Sequence, residues 1–164
     1  MKNKAFTIIE LLVVVAIIAV LSTIILFSVK QYANTAKDSN IAGNLAVLIP
    51  AGETYYNINN NSYGDANIEN NMFCDLGVVT NAKNQMPTNI TLSCYDEDTN
   101  KPGICCVVAS NGQSWAACAA LFADPKKAYC VDSRGIKKQI CASQCEEDIT
   151  DTSAECPDIL TDCP

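Results

Sequence analysis

The chain opens with a long apolar segment. Residues 11–29 carry no charged side chain, and their polar residues are Ser22, Thr23 and Ser28. At about 1.5 Å per residue they would form a helix of roughly 28 Å, close to the ~30 Å hydrocarbon core of a bilayer. Because the backbone in lipid must satisfy its own hydrogen bonds, a helix is expected despite the many β-branched residues. The pattern therefore predicts a transmembrane helix.

The flanks of this segment predict its orientation. Lys2 and Lys4 precede it, which favours a cytoplasmic amino end and translocation of the rest of the chain. No small-residue cleavage site follows it, as one would after an ordinary secretory signal. Glu10 lies near its start, where a charge is costly in lipid. Because residues 6–29 contain no Lys or Arg, the partner of Glu10 must come from elsewhere.

A one-sided helical pattern follows the apolar segment. Apolar or small residues recur at steps of three and four, which predicts an amphipathic helix over residues 30–56. Pro50 lacks a backbone donor and clashes with the preceding turn, so we expect a kink there or an end near Ile49. The apolar face would pack on a globular domain.

Loop and strand patterns make up the rest of the chain. Residues 57–71 are rich in Asn, as loops are, and residues 72–79 suggest a short apolar turn or helix. Strands are predicted over residues 90–95, 104–109 and 128–132, the last closed by a turn at 133–135, with 115–122 as a strand or helical turn. This predicts an α+β fold, with a long N-terminal helix packed on a small antiparallel β-sheet with disulfide-rich loops.

All ten cysteines lie beyond the apolar segment, and their even number predicts disulfides made outside the cytoplasm. Cys105 and Cys106 are adjacent, so on a strand they would point to opposite faces and bond different partners. Zinc is the alternative, but no C-x-x-C pair or histidine completes a usual ligand set. The ten are Cys74, Cys94, Cys105, Cys106, Cys118, Cys130, Cys141, Cys145, Cys156 and Cys163.

Charge and composition exclude several functions. The chain has 18 acidic and 11 basic side chains and no histidine. Without a basic face, nucleic-acid binding is not expected. Without histidine, Ser-His, Cys-His and His-metal chemistry are absent, so we expect no catalytic residues and no enzyme.

The last segment, residues 137–164, is acidic and holds four cysteines. It is too polar to form its own core, so we expect disulfides to pin it to the sheet. Its oxygen-rich loops suit a calcium ion, with Asp151 and Asp158 as candidate ligands, or form a solvated acidic tail. Asn60 and Asn89 lie in glycosylation sequons.

Residues 4–14, KAFTIIELLVV, resemble the type III signal of type IV pilins and type II secretion pseudopilins. The resemblance implies that a prepilin peptidase cuts between Ala5 and Phe6 and methylates the Phe6 amine. Ala5 stands where this family normally has Gly. Glu10 would then pair in low dielectric with the Phe6 ammonium of a neighbouring subunit. Residues 129–135, YCVDSRG, resemble the terminal strand and turn of many pilin-like proteins.

What the resemblance implies for function is a structural subunit of a homo-oligomeric helical filament. Its precursor would be a single-pass protein of the inner membrane, assembled by an inner-membrane platform and a cytoplasmic ATPase into an extracellular or periplasmic filament. The alternatives are a secretion pseudopilin, a membrane-anchored binding or adhesive module that keeps residues 1–5, and a thiol-redox protein. Major pseudopilins carry calcium in a carboxy-terminal loop, which adds to the calcium hypothesis.

The same resemblance divides the chain into five parts. They are a leader peptide (1–5), a transmembrane and filament-core helix (6–29), the amphipathic half of the helix (30–56), an αβ-loop and antiparallel sheet (57–136) and a Cys-rich acidic C-terminal region (137–164).

Overall fold

The computed structural model describes residues 7–64, 72–87, 104–150, 152, 154–158 and 163. The fold is α+β and pilin-like, as predicted: a long N-terminal helix packs on a four-stranded antiparallel sheet with several disulfides. The predicted strand over residues 90–95, together with Cys94 and Asn89, lies outside the described residues.

The long helix consists of two successive segments, α1 (Ile8–Ala46) and α2 (Leu48–Ile58). The interruption falls at Val47, one turn before Pro50. Pro50 has no N–H to donate to the carbonyl of Ala46, and its ring crowds that carbonyl, so the last regular residue of α1 is Ala46. The sequence predicted a kink at Pro50 or a helix end near Ile49. The interruption instead lies at Val47, three residues before Pro50, and the helix continues past residue 56 to Ile58.

The predicted short apolar element after the Asn-rich loop is present and longer than expected. A 3₁₀ helix spans Phe73–Asp75 and is followed by α3 (Gly77–Gln85). The backbone of Tyr63 bonds to both Gly112 and Phe73, which joins this region to the turn between the first two strands.

Four strands form one sheet in the order β1-β2-β3-β4, each antiparallel to the next. Their bounds are β1 (Cys105–Val108), β2 (Trp115–Ala120), β3 (Lys127–Asp132) and β4 (Lys137–Cys141). The prediction that residues 128–132 form the last strand is wrong, because β4 follows after a tight turn. Its sequence, KKQIC, is mostly polar because it lies at an edge of the sheet, and polar edge strands give a weak pattern. A short helix, α4 (Ala142–Glu147), follows it directly.

The sheet buries both faces, which explains why β2 is buried at every position. One face packs on the helices through Ile41, Leu45, Leu48, Phe73 and Trp115. The other face packs beneath α4 and the segment after it, through Cys118, Cys130, Ile140, Cys145 and Ile149. Successive residues alternate between the two clusters along β1, along residues 115–119 of β2 and along residues 128–131 of β3, as the period of a strand requires.

Cys105 and Cys106 follow this alternation. Cys106 forms a disulfide with Cys74 on the helix side of the sheet. Cys105 belongs to the opposite cluster and is also disulfide-bonded. The two adjacent cysteines thus point to opposite faces of the sheet and form separate disulfides, as the strand geometry predicts.

Three further disulfides hold the C-terminal segment, defined here as residues 142–163. They are Cys118–Cys145, Cys130–Cys156 and Cys141–Cys163. Successive cysteines of the C-terminal segment therefore bond to β2, to β3 and to the end of β4, in that order. Disulfides typically stabilise a domain by about 2–4 kcal/mol each, so they compensate for the polar composition of this segment.

Candidate functional site

The first candidate functional surface is the projecting helix, defined as residues 8–33 of α1. Most of its large side chains are apolar, and they are exposed from Ile8 (81% exposed) to Leu26 (71%). No part of its most apolar stretch is buried. Among the described residues this helix, by length and composition, can cross a membrane. Such an apolar surface is unfavourable in water, so it requires lipid or other protein around it.

Glu10 lies in the first turn of this helix and caps its amino end. Its Oε2 accepts hydrogen bonds from the Thr7 backbone N–H (2.9 Å) and the Thr7 hydroxyl (2.8 Å). The Thr7 Oγ1 in turn accepts a bond from the Glu10 backbone N–H at 3.3 Å. This reciprocal capping box satisfies helix donors that have no other partner, and the carboxylate favours the positive end of the helix dipole.

The other residues of the predicted assembly signal, Ala5 and Phe6, lie outside the described residues. The ion pair between Glu10 and a Phe6 ammonium therefore stays a prediction. The described part of the chain contains four salt bridges, and Glu10 takes part in none of them. The capping role of Glu10 was missed from the sequence, although Thr7 followed three residues later by Glu is the pattern of a capping box.

A second feature is a fully buried carboxylate, Asp132, at the end of β3. Its oxygens accept hydrogen bonds from the backbone N–H groups of Arg134, Ile136 and Cys156 at 3.0–3.2 Å. They also accept bonds from Nε and Nη2 of Arg134, at 3.0 and 2.6 Å. One side chain thus fixes the β3–β4 turn and attaches the C-terminal segment to it, a role that the sequence analysis did not predict. An Asp two residues before the Arg and three before the Gly of a turn was the available signal.

Charged side chains line a cleft of about 470 Å³ between the β3–β4 turn and the C-terminal segment. Arg134 Nη1 forms a salt bridge with Glu155 Oε2 at 2.7 Å, and Lys138 Nζ forms one with Asp158 Oδ1 at 3.0 Å. The hydrogen bond with Asp132 is the main cause of a raised pKa for Arg134. The hydrogen bond and charge of Lys138 lower the pKa of Asp158. Opposite charges are thus paired across this cleft.

Of the two candidate calcium ligands the structure describes Asp158 alone, so the calcium site stays a prediction. Asp158 is exposed, its carboxylate bonds Lys138, and its backbone carbonyl accepts a bond from the Gln144 side chain at 2.8 Å. Asp151 lies outside the described residues.

The described cysteines form disulfides. Within the described ranges, one group of three potential metal-ligand atoms lies close together. These are the sulfurs of Cys105, Cys118 and Cys145, within 4.8 Å of one another. All three cysteines are disulfide-bonded, so they do not offer the thiolates that zinc requires.

A third feature joins the long helix to the sheet. The carboxylate of Asp38 accepts hydrogen bonds from the backbone N–H groups of Phe122 (2.6 Å) and Ala123 (3.1 Å), in the loop between β2 and β3. The ammonium of Lys37 lies 4.4 Å from the centre of the Phe122 ring, a cation–π contact. These contacts lie just beyond the projecting helix, where α1 first meets the globular domain.

No curated protein and no solved structure is significantly similar to this chain. A family model does match its amino end: the prokaryotic N-terminal methylation motif, over residues 1–26. The match covers the stretch that includes Ala5, Phe6 and Glu10, and it continues into the exposed apolar helix. It confirms the resemblance found in the sequence. The amino end of this chain thus carries the signal of type IV pilins and pseudopilins.

Proposed function

We propose that this chain is the structural subunit of a type IV pilus-like filament, assembled from the inner membrane after cleavage by a prepilin peptidase. The observation that supports this most is the methylation motif at the start of a helix whose apolar surface is exposed on the domain's outside. A pilin-type signal belongs to structural proteins, which agrees with a non-enzymatic role. The apolar helix and the motif together fit a membrane-anchored precursor.

Processing would begin at the cytoplasmic face of the membrane. The peptidase cuts between Ala5 and Phe6 and methylates the new Phe6 amine, while residues 11–29 hold the precursor as a single-pass protein. An assembly platform and a cytoplasmic ATPase then extract subunits from the bilayer. The projecting helices exchange lipid contacts for contacts with one another, so their apolar surface stays out of water throughout.

Glu10 would select the position of the next subunit. Its carboxylate already lies at the amino end of its own helix, bonded to Thr7, which is the residue after Phe6. A Phe6 ammonium from a neighbouring subunit would add the positive charge that the described residues do not supply. In the low dielectric of a helix bundle this attraction is little screened.

Two substitutions of Glu10 separate its charge from its capping bond. Glu10→Gln keeps an oxygen that accepts the Thr7 N–H but removes the charge, whereas Glu10→Ala removes both. We expect both variants to insert into the membrane and neither to form filaments, as measured by membrane fractionation and electron microscopy of sheared fibres. Filaments from Glu10→Gln would show that capping, and not the charge, is what assembly needs.

The mature amino terminus tests the proposal as a whole. Amino-terminal sequencing and intact mass of purified fibres should give a chain that begins with methylated Phe6. A chain that still begins at Met1 and stays monomeric would contradict the proposal and favour an anchored binding module.

A secretion pseudopilin is the second candidate, because the same motif serves both classes of protein. Pseudopilins form short periplasmic fibres. Long fibres on the cell surface at normal expression would therefore favour the pilus, and loss of protein secretion without loss of surface fibres in a deletion strain would favour the pseudopilin.

A further inference from the structure

A row of cysteines crosses the sheet beneath the C-terminal segment. Cys105 of β1 is directly opposite Cys118 of β2, and Cys118 is directly opposite Cys130 of β3. All three side chains are buried on the same face of the sheet. Cys118 and Cys130 each bond to a cysteine of the C-terminal segment.

One sulfur of this row lies close to the disulfide of its neighbour. Those of Cys105, Cys118 and Cys145 lie within 4.8 Å of one another, so the sulfur of Cys105 lies beside the Cys118–Cys145 disulfide although it belongs to a different one. Cys130 and Cys156 have no such third sulfur among the described residues.

We propose that Cys105, Cys118 and Cys145 form a thiol–disulfide exchange site, in which Cys118 can bond either to Cys145 or to Cys105. The first bond attaches α4 to the sheet, and the second releases it. The exchange would therefore control whether α4 is covalently held over this face. The inference does not depend on the filament role.

The backbone is already suited to the alternative bond. Directly opposed residues of an antiparallel pair have Cα atoms about 4.5 or 5.5 Å apart, and both values lie within the usual range of about 4.4–6.8 Å for a disulfide. The Cys118–Cys145 bond spans 6.2 Å between Cα atoms. No movement of β1 or β2 is required for the exchange.

The chemistry balances in two steps. A dithiol first reduces the disulfide of Cys105 and is itself oxidised to a disulfide, giving one proton to the cysteine that was bonded to Cys105, which becomes a thiol, and one to water, so that Cys105 is left as a thiolate. A phosphine with water gives the same two sulfur products and leaves as the phosphine oxide. The Cys105 thiolate attacks the Sγ of Cys118, the Cys118–Cys145 bond breaks, and Cys145 leaves as a thiolate that takes a proton from water. The second step moves no net electrons.

Substitution of Cys145 tests the proposal in the full-length chain, purified in detergent from an oxidising compartment. In Cys145→Ser we expect a Cys105–Cys118 disulfide, so that thiol labelling under denaturing conditions marks a cysteine other than Cys118. The matched control is Cys156→Ser, which leaves Cys130 without its partner; here we expect the label on Cys130 itself. Chymotryptic cleavage after Trp115 separates Cys118 from Cys105 for peptide mass mapping.

Labelling of Cys118 in Cys145→Ser, or a bond from Cys118 to any residue but Cys105, would overturn the proposal. Should Cys145→Ser fail to fold, graded reduction of the unaltered chain with a phosphine gives the same information. We expect molecules with a labelled Cys145 and a Cys105–Cys118 bond. Molecules with a labelled Cys105 and an intact Cys118–Cys145 bond would overturn the proposal.

Discussion

At the scale of single residues, Gly52 lies directly against the indole of Trp115 in the core. Gly52 is a buried position of α2, and the fully buried indole of Trp115 lies against it. A Cβ at residue 52 would lie 2.7 Å from Trp115 Nε1 and 3.0 Å from Cε2, closer than real contacts allow. The glycine thus lets α2 approach the sheet closely.

We expect Gly52→Ala to lower the free energy of unfolding by about 1–3 kcal/mol, because the added methyl group overpacks the core against a large, fixed ring. The matched control is Gly43→Ala, in α1, where a Cβ would meet no atom within 4 Å. That substitution should stabilise the protein by about 0.4–1 kcal/mol through the unfolded chain. Thermal unfolding in detergent, followed by circular dichroism, compares the two. Equal effects would show that the contact with Trp115 does not limit residue 52.

Residue-scale features also show where sequence reasoning is sufficient. The opposite faces of Cys105 and Cys106 follow from strand alternation alone, so they were predictable. The hydrogen bond from the Cys156 N–H to Asp132 was not, because Cys156 is distant in sequence and reaches the carboxylate only through folding, whereas the bonds from Arg134 and Ile136 lie within one turn and had a local signal. Asp38 is similar: its partners are more than 80 positions away in the chain.

At the scale of elements, the main junction is between α1 and the loop that joins β2 to β3. Asp38 bonds two backbone N–H groups of this loop, and Lys37 covers the ring of Phe122. The junction sets where the projecting helix leaves the domain. It thus determines how far the apolar surface extends beyond the sheet.

We expect Asp38→Ala to raise amide hydrogen exchange in the loop at residues 122–123, because both N–H groups lose their acceptor. The loss in stability should be about 1–2 kcal/mol, at the lower end for bonds to a charged group since Asp38 is partly exposed. Ser39→Ala is the control, because the Ser39 hydroxyl donates to the Thr35 carbonyl of its own helix and not to the loop at residues 122–123. Unchanged loop exchange in Asp38→Ala would mean that the loop is held by other contacts.

Element prediction succeeded where patterns were strong. The long helix, β1 and β3 follow from periodicity and turn residues. The sequence left β2 open between a strand and a helical turn, and the element after the Asn-rich loop open between a turn and a helix. The strand β4 and the helix α4 were missed, because their polar residues at the edge of the sheet hide the pattern and because Cys141 and Cys145 are buried as disulfides. The interruption at Val47 shows that a proline acts on the turn before it.

At the scale of the whole molecule, the projecting helix and the globular domain are energetically separate. Every buried apolar residue of the described core comes from residue 41 or later. The projecting helix therefore adds no buried apolar residue to the described core, and its exposed apolar surface requires lipid or other protein around it. The exposed apolar helix was predictable, since nineteen successive uncharged positions match the thickness of a bilayer.

We therefore expect a chain that begins at Lys30 to fold as a soluble monomer when it is exported to an oxidising compartment. It should contain the same disulfides as the full chain and melt within a few degrees of it, because no core residue is lost. Peptide mapping and thermal unfolding, with the full chain in detergent as the reference, check both points. Aggregation or scrambled disulfides in the shortened chain would contradict the separation of the two parts.

The order in which the C-terminal segment is bonded to the sheet also governs what a protease can remove. A single cut between residues 145 and 156 leaves Cys145 attached to β2 and Cys156 attached to β3. Neither new end can diffuse away, since each fragment is anchored through sulfur to a separate strand. The face of the sheet beneath the C-terminal segment would therefore stay covered after a proteolytic cut that would release a tail without disulfides.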